Sequence, residues 1–475
     1  MILGIDLGTG SVKTAVIDRG GRLVASTEAE YAVRAPVPGW SETAPEAWWS
    51  GLVAAVRGLP EKLRRRVEAI GLSGQMHSLV LCTASGVPLR PAILWSDTRS
   101  ETVLPAFRSL APSQRRRLLN PIVAGMTGPS LLWLDRNEPD AVSTARWALQ
   151  PKDWLRLRLT GVPATDPSDA SATLLYDIVA DGWATDIVRD LGLPNDLLPA
   201  IRPSDAHGGD LVGAAAEALG LTPGLPIATG AGDAAAAALG SGIVESNDAQ
   251  LSLGTGAQIV VIGTGTGPGP EPAVHRFRSA LPGQHYTMAA MQNAGLALSW
   301  VRSVLGLTWQ QLYASFDPEE VRADLVFLPY LSGERTPLMD ARLRAAWVGL
   351  GLHHGREDLA AAALAGVALA VLDGFRAVHA AGLGVAGLRV TGGGSREIRY
   401  AQFLCDLLGV PFELADTPRA SARGAAYLAA RMLGCDLGGS GSRKPAPWCR
   451  MQPRPLAGQA RELVEAFQQV RDRLR

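Results

Sequence analysis

The tetrapeptide Leu-Gly-Thr-Gly occurs twice in this chain, at Leu7–Gly10 and at Leu253–Gly256, so the copies are about half a chain apart. Each copy follows a short apolar run and precedes an alternating apolar stretch, which predicts a tight turn between two strands. Such a turn exposes backbone N–H groups and a threonine hydroxyl, which can hold phosphate oxygens. The repeat predicts a nucleotide held between two related domains; chance recurrence in a chain with 53 glycines is the alternative.

The length and charge of the chain limit its organisation and its partners. A chain of 475 residues exceeds what one hydrophobic core usually holds, so two main domains are expected. Lys plus Arg and Asp plus Glu both number 45, a balance that gives no support for nucleic acid as a partner. The four cysteines have no close pairing and fit free thiols in a reducing cytoplasm.

No export signal is visible at the N-terminus, which enters a strand at once. The longest apolar run, Leu359–Leu372, is shorter than the roughly 20 residues that span a bilayer. Its alanines and glycines predict a helix buried between close-packed elements. We therefore expect a cytoplasmic protein without a membrane partner, and a homodimer stays open.

Apolar periodicity predicts a mixed α/β architecture with strands and helices interleaved in both halves. The expected strands are Met1–Asp6, Ser11–Asp18, Arg22–Tyr31, Val67–Ser73, Ser78–Cys82, Ala92–Trp95, Leu225–Gly232, the hairpin Ala249–Gly263, and Gly387–Thr391. The expected helices are Pro45–Leu59, Asp233–Leu239, Ala289–Leu305, Arg356–Ala381, Ile398–Leu408 and Leu456–Leu474, the last after a loop at Gly434–Pro455.

Asp6 ends the first predicted strand, immediately before the first glycine turn. A carboxylate at this point would repel a nucleotide unless a divalent cation lay between them. Mg²⁺ typically takes one or two carboxylates together with waters and phosphate oxygens. Asp6 is therefore a candidate metal ligand, and capping of the turn by its carboxylate is the alternative.

Asp233 lies within Gly230–Ala236, a segment with Gly or Ala on both sides of the one acid. Small neighbours let a ligand or another backbone approach closely. Asp233 also stands where a helix is expected to begin, and acids are favoured at the N-cap. Capping and action as a catalytic base are compatible, because a carboxylate offers several lone pairs.

The loop Gly74–Ser78 contains Gln75, Met76 and His77, a set that suits a polyol. The amide and imidazole can pair with hydroxyl groups, and the thioether gives an adaptable apolar contact. An ordinary surface histidine is the alternative. Farther along, Gly392–Gly394 follows a predicted strand and could hold a nucleotide by close backbone approach. Dinucleotide-binding, Walker, zinc and hydrolase-elbow motifs are absent from the sequence.

Taken together, these residues resemble the FGGY family of carbohydrate kinases over nearly the whole chain, most closely its xylulose-kinase branch. The most specific motif runs from Leu328 to Pro337. The other matching motifs are Ile5–Thr9, Trp40–Glu42 with Pro45 and Trp48-Trp49, Gly74–His77, Pro91–Trp95 with Asp97 and Arg99, Pro151–Asp153, Gly232-Asp233, Leu251–Thr255 and Gly392–Gly394.

The resemblance implies two actin-like, ribonuclease H-like domains of the hexokinase type, with a nucleotide and sugar cleft between them. It implies an N-terminal sugar-binding domain at 1–243, a C-terminal nucleotide-binding domain at 244–434, and a loop and helix at 435–475. It also implies ATP with Mg²⁺ or Mn²⁺ as cofactors. The implied roles are base for Asp233, metal ligand for Asp6, sugar contacts for Gln75, Met76, His77, Trp95 and Asp233, and nucleotide contacts for Thr9, Gly10, Gly254, Thr255, Gly256, Gly392, Gly393 and Gly394.

The chain departs from the family pattern in three segments. Ala234 stands where the family usually has an Asn or Gln that contacts the sugar. The second turn lacks the usual serine after Thr255, and Glu397 and Tyr400 replace the residues expected near adenine. The leading expectation is phosphorylation of D-xylulose to D-xylulose 5-phosphate by in-line transfer. Another ketose or polyol, such as ribulose or a ribitol-like compound, and a non-catalytic actin-like ATPase of the chaperone type are the alternatives.

Overall fold

The computed structural model describes residues 1–263, 272–435, 444–456 and 458–474. By its internal contacts the chain forms two compact units. The first consists of Met1–Val244, Arg276–Tyr286 and Thr417–Lys444. The second consists of Glu245–His275, Thr287–Asp416 and Pro445–Arg475.

Strands and helices alternate along both units. The strands are β1 Ile2–Leu7, β2 Ser11–Ile17, β3 Leu23–Glu30, β4 Glu42–Thr43, β5 Ala69–Gly74, β6 Val80–Cys82, β7 Ala92–Ile93, β8 Trp147–Leu149, β9 Tyr176–Asp177, β10 Gly182–Trp183, β11 His207–Asp210, β12 Pro226–Ala228, β13 Ala231–Gly232, β14 Ala249–Leu253, β15 Ala257–Ile262, β16 His275–Arg278, β17 His285–Met291, β18 Val326–Leu328, β19 Ala346–Val348, β20 Leu388–Thr391, β21 Phe412–Leu414 and β22 Cys449–Met451.

The α-helices are α1 Pro45–Gly58, α2 Glu61–Arg64, α3 Leu104–Arg108, α4 Pro112–Leu118, α5 Thr127–Asn137, α6 Pro139–Thr144, α7 Pro151–Thr160, α8 Pro167–Ala170, α9 Thr185–Asp190, α10 Gly213–Leu219, α11 Asp233–Gly240, α12 Gly295–Val304, α13 Trp309–Ala314, α14 Arg356–Ala380, α15 Ile398–Leu408, α16 Ala420–Met432 and α17 Gly458–Arg473. Short 3₁₀ helices cover Arg99–Val103, Asn195–Leu197 and Gly393–Arg396.

The first unit is built on a mixed sheet with the strand order β11-β12-β5-β1-β2-β3, and β13 pairs beside β5. Strand β1 runs antiparallel to β2 and parallel to β5. Leu3, Ile5 and Leu7 join the same apolar core as Trp48 of α1. Because side chains alternate between the faces of a strand, Asp6 points to the opposite face, which α16 covers.

Glycines let α16 lie directly on that face of the sheet. A Cβ atom on Gly4 would lie only 1.8 Å from the carbonyl oxygen of Ala422. A Cβ atom on Gly71 would lie 1.8 Å from the carbonyl oxygen of Ala425. Since backbone atoms cannot yield as a flexible side chain can, only glycine fits at these two sheet positions.

The observed units differ from the domains expected from sequence in the position of helix α16. It lies within the expected 244–434 domain, yet its contacts place 417–444 in the first unit. The cause is close helix packing: a Cβ atom on Gly424 would lie 1.8 Å from the carbonyl oxygen of Ala236 in α11. The domain limits at 243 and 434 stay a prediction from the sequence. Each compact unit combines segments that are distant in the chain.

The sheet of the second unit repeats the local arrangement of the first. Its strand order includes β17-β15-β14-β20-β21-β22. Strand β14 is antiparallel to β15 and parallel to β20, just as β1 is antiparallel to β2 and parallel to β5. Both Leu-Gly-Thr-Gly turns therefore join two antiparallel strands, and the predicted strand–turn–strand pattern is confirmed in both copies.

Helix α14 is long and apolar enough, by length and composition alone, to cross a membrane. In the structure 78% of its most apolar window is buried inside the protein. This agrees with the buried helix that the sequence predicts for Leu359–Leu372.

Two element predictions are corrected by the structure. The helix expected to begin at Ala289 begins at Gly295, because residues up to Met291 belong to strand β17. A short, wholly apolar run has no periodicity that separates a buried strand from a buried helix. The loop expected at 434–455 contains strand β22, and its residues 436–443 lie outside the described residues.

Candidate active site

Asp6 lies near the end of β1, with its side chain buried. Its Oδ1 accepts a hydrogen bond of 2.9 Å from the Ser73 hydroxyl on the neighbouring strand β5. Burial raises the pKa of the Asp6 carboxyl, while the Ser73 hydrogen bond and the charge of Lys13 act in the opposite direction. The hydrogen bond from Ser73 thus holds the carboxylate in one orientation.

Asp233 is the first residue of α11, and Gly232 is the N-cap, so the predicted N-cap position is off by one residue. The Asp233 Oδ1 accepts a hydrogen bond of 2.7 Å from the backbone N–H of Ala234. Burial and the negative charge of Asp6 raise the pKa of Asp233 to about 7. A partly exposed carboxyl with a pKa near neutrality is suited to take up and release a proton.

Met76 lies against the start of α11. A Cβ atom on Gly232 would lie 3.0 Å from its sulfur, so glycine makes room for the thioether. The Tyr286 hydroxyl donates to the same sulfur at 3.4 Å. The predicted sugar-side methionine and Asp233 are therefore neighbours in the first unit.

His77 has a φ of 71°, a left-handed backbone conformation that is unusual for a residue other than glycine. Its N–H donates to Gln150 Oε1 at 2.8 Å. Its Nδ1 lies 2.8 Å from the carbonyl oxygen of Ala172, which can only accept, so Nδ1 carries the proton and Nε2 of the neutral ring is an acceptor. Backbone strain maintained by such bonds is common at functional sites.

The other predicted residues around the first turn bind one another. The Trp95 indole N–H donates to the Thr9 hydroxyl at 2.9 Å. The buried Gln75 donates through Nε2 to the carbonyl of Gly8 at 3.3 Å, and the Tyr31 hydroxyl donates to the same carbonyl. Gln75 thus supports the turn that presents Thr9 and Gly10, and its predicted contact with a sugar stays a prediction.

Sequence reasoning missed Lys13. It is the direct partner of Asp6 in the β1–β2 register, and its Nζ lies 3.9 Å from Glu28 Oε1. A Cβ atom on Gly8 would lie 4.0 Å from the same Nζ. A hairpin register counted outward from the glycine turn could have found this cation, because residues paired across the turn share a face of the sheet.

In the second unit the two predicted glycine-rich segments come together. Strands β14 and β20 are parallel, with Ser252 opposite Thr391, so Gly254–Gly256 and Gly392–Gly394 follow the same edge of the sheet. Gly392 has a φ of 97°, and a Cβ atom on it would lie 2.3 Å from the carbonyl oxygen of Leu253. Glycine is required there by both conformation and space.

A third segment at this edge escaped the sequence reasoning. The Gly295 N–H donates to the carbonyl of Gly254 at 3.0 Å, and the Leu296 N–H donates to the carbonyl of Thr255 at 2.8 Å. Both residues open helix α12, whose N-terminus favours anions. The break Asn293-Ala294-Gly295 after an apolar run is the signal that could have indicated it.

The segment that carries the most specific motif bonds to the backbone just before α12. The carboxylate of Glu334 is buried and accepts hydrogen bonds from the N–H groups of Gln292 at 2.7 Å and Arg335 at 2.8 Å. Burial raises the pKa of Glu334 to about 7, against the effect of these bonds. Of the two residues that depart from the family near adenine, Tyr400 is buried against Phe316 and Glu397 is exposed.

One group of side chains in the described part of the chain has the composition of a metal site: Asp324, His353 and His354 of the second unit. Arg322 already donates to both oxygens of Asp324, at 3.0 and 2.8 Å. The Nδ1 of His354 accepts from the Gly351 N–H at 2.9 Å, so the proton of the neutral ring is on Nε2, the atom nearer to Asp324. These bonds argue against coordination there.

Known proteins are similar to this chain in sequence and in structure. Models of the N-terminal and C-terminal domains of the FGGY family of carbohydrate kinases match residues 1–240 and 249–433. The xylulose kinase of Escherichia coli (strain K12) is 38% identical over 86% of this chain and 85% of its own, and that of Klebsiella pneumoniae is 35% identical over 87% and 86%.

Among solved structures, a xyloylose kinase from Brucella ovis is similar with a TM-score of 0.88 at 35% identity, covering 100% of this chain and 97% of its own. A gluconate kinase from Lactobacillus acidophilus has the same fold, with a TM-score of 0.91 at 23% identity over 100% and 98%. The predicted actin-like fold is confirmed, and the chain belongs to the FGGY family of carbohydrate kinases.

Proposed function

We propose that this enzyme transfers the terminal phosphoryl group of ATP to D-xylulose, giving D-xylulose 5-phosphate, with Asp233 as the general base. The substrate is supported by the relatives named xylulose kinase. The role of Asp233 is supported by one observation above all: a carboxyl of pKa about 7 lies beside Met76 and within the electrostatic reach of Asp6.

In this reaction the terminal hydroxyl of the sugar attacks the phosphorus in line with the leaving oxygen. The Asp233 carboxylate would accept the hydroxyl proton as the new O–P bond forms. Phosphoryl transfer requires mainly positioning and charge stabilisation, and a base for the attacking hydroxyl completes the set. The Ala234 N–H bond fixes one carboxylate oxygen and leaves the other to face the acceptor.

Asp6 would hold Mg²⁺ or Mn²⁺. Its carboxylate is oriented by Ser73, and its negative charge raises the pKa of Asp233. A cation beside it would offset both the repulsion between the two carboxylates and the repulsion of an incoming phosphate. When bound, the ion supplies charge neutralisation at phosphate oxygens, and Lys13 adds a positive charge on the same face.

The nucleotide would bind through backbone N–H groups and small hydroxyls of the glycine turns. Thr9, Gly10 and Gly254–Gly256 would contact phosphates. Gly392–Gly394, which follows the same sheet edge as the second turn, would lie along the adenosine. Support comes from the glycine-rich backbone of these turns and from the position of the second turn beside the first residues of α12, whose N–H groups at Gly295 and Leu296 donate to the carbonyls of Gly254 and Thr255.

The sugar would contact Met76, His77, Gln75 and Trp95. The acceptor Nε2 of His77 suits a hydroxyl hydrogen, and Met76 gives an apolar surface beside it. Ala234 offers only a methyl group at its position, which keeps ribulose and ribitol-like polyols as the second candidate substrates. The cytoplasmic location and a homodimeric state stay predictions.

A coupled assay of ADP release with D-xylulose, ribulose, ribitol and glycerol tests the substrate. We expect the highest kcat/KM with D-xylulose, and turnover confined to another compound would refute that choice. Asp233→Asn is expected to lower kcat by about 10²–10⁴-fold with nucleotide binding retained. Near wild-type turnover by this variant would remove Asp233 from the role of base.

A further inference from the structure

A buried ion cluster lies in the first unit beneath the candidate sugar site. The Nζ of Lys152, in the first turn of α7, is 2.5 Å from Asp153 Oδ1, 3.1 Å from Asp166 Oδ1 and 3.2 Å from Asp169 Oδ2. The Lys152 side chain is 0% exposed. Burial alone lowers the pKa of this amine, but the three carboxylates raise it above its usual value, so it stays charged.

Such a cluster is weak evidence for stability, because the desolvation of buried charges offsets much of their attraction. Arg156 adds a second cation, at 3.2 Å from Asp153 Oδ1. Burial, together with the charges of Asp166 and Asp153, raises the pKa of Asp169 well above its usual value, so this carboxyl holds its proton more readily than an exposed aspartate does. The position that the cluster gives to neighbouring segments is therefore more informative than its effect on stability.

The aliphatic part of Lys152 passes between two glycines. A Cβ atom on Gly74 would lie 3.1 Å from the Lys152 Cβ, and one on Gly230 would lie 3.0 Å from its Cδ. Gly74 immediately precedes the predicted sugar contacts, and Gly230 precedes Gly232 and the predicted base. One side chain thus spaces the two segments that face the acceptor.

The first route from the ammonium leads to Asp233. Asp166 Oδ2 accepts from the Ser168 hydroxyl at 2.6 Å, and this hydroxyl oxygen accepts from the Gly232 N–H at 2.9 Å. Gly232 is the N-cap of α11, and Asp233 follows it directly. The position of the carboxyl is therefore linked to Lys152 through two hydrogen bonds and an ion pair.

The second route leads to His77. The Nε2 of Gln150 donates to the carbonyl oxygen of Asp169, and its Oε1 accepts from the His77 N–H at 2.8 Å. These bonds support the left-handed backbone of His77. Asp169 Oδ1 would also lie 3.0 Å from a Cβ atom on Gly232, so the two routes meet beside Met76.

We infer that Lys152 is a positioning residue for the acceptor sugar, which fixes Asp233 through Asp166 and Ser168 and fixes His77 through Asp169 and Gln150. This inference rests on the proposed function. It assigns different kinetic constants to the two routes: the first sets the placement of the base and thus kcat, and the second sets sugar binding and thus KM.

Two single variants that keep every charge of the cluster test this division. Ser168→Ala is expected to lower kcat by about tenfold or more with little change in the sugar KM, because a small displacement of a reacting group is costly. Gln150→Leu is expected to raise the sugar KM by about tenfold with a smaller change in kcat. Neither should change the KM for ATP by more than about twofold.

Lys152→Met combined with Asp169→Asn removes one basic and one acidic group from the cluster and should show both effects. If this double variant does not fold, the two single variants decide. Thr160→Ala is the matched control, since it removes a buried hydroxyl of the same helix α7 that bonds only locally. It should leave both constants unchanged.

Equal changes in the sugar and ATP constants, or a loss of thermal stability with unchanged kinetics, would overturn the inference and leave the cluster a purely structural element. These outcomes differ from failure of the proposed function, in which the wild-type enzyme itself turns over none of the sugars. An active wild type with unaltered Ser168→Ala and Gln150→Leu kinetics refutes the positioning role alone.

Discussion

Lowering the pH is expected to reduce kcat/KM for the sugar along an acid limb whose midpoint lies near pH 7, or below it to the extent that a cation bound at Asp6 offsets the charge of Asp6. The proposed base, Asp233, must be ionised to accept a proton, and burial and the charge of Asp6 raise its pKa from 3.8 to about 7. About one tenth of the carboxyl is ionised one unit below its pKa, and about one hundredth two units below. Activity at pH 5 should therefore be about one hundredth of the plateau value if the limb is centred at pH 7, and a larger fraction if a cation at Asp6 lowers the midpoint, provided that the enzyme stays folded.

The assay is ADP release at subsaturating sugar between pH 5 and 9, with circular dichroism to verify folding. Glu334 is a second buried carboxyl whose pKa is about 7, so Glu334→Gln is the matched control and should leave the midpoint in place. A limb near pH 4, or a profile without any acid limb, would contradict the electrostatic argument. If the midpoint of the limb shifts in Glu334→Gln, the group that titrates is Glu334 and not Asp233.

Three further predictions concern stability and nucleotide binding. At pH 8 the free energy of unfolding of Asp233→Asn should exceed that of the wild type by at most about 4 kcal/mol, because the wild type must keep a partly buried carboxylate charged. This gain should vanish near pH 4, where the wild-type carboxyl is protonated. Urea titration at both pH values checks the sign. Gly71→Ala should destabilise by about 3 kcal/mol or prevent folding, because its Cβ would lie 1.8 Å from a carbonyl oxygen, whereas Gly213→Ala, with open space, should not; equal melting temperatures would refute this. Gly295→Ala places a Cβ 2.5 Å from the Gly254 carbonyl, so the KM for ATP should rise while the sugar KM stays constant; the reverse pattern would move the nucleotide away from α12.

Local chemistry made a large part of the fold readable in advance. Each glycine turn lies between alternating apolar runs, and this pattern alone predicted the antiparallel pairs β1–β2 and β14–β15. Helix α15 begins and ends where its apolar periodicity does, at Ile398 and Leu408. The prediction that a helix begins at Ala289 was wrong, because a short apolar run fits a buried strand equally well.

The candidate site was only partly readable. Asp6 and Asp233 were singled out by their neighbours in sequence, but the burial and the Asp6 charge that raise the pKa of Asp233 depend on residues far apart in the chain. Lys13 was missed because only the pairing register of β1 and β2 shows that it lies opposite Asp6. Lys152 was noted only as part of a motif, and its three carboxylate partners lie in a different segment or in the next residue.

The sequence by itself determined most of the elements and the two turns, and it indicated the candidate residues for phosphoryl transfer, because these depend on the spacing of a few positions. Tertiary structure decided which segments share a unit and which charges meet. Helix α16 follows the second glycine turn in the chain yet packs on the sheet of the first, since Gly4 and Gly71 leave room for its backbone. Contacts of that kind depend on shape across hundreds of residues, and no local pattern encodes them.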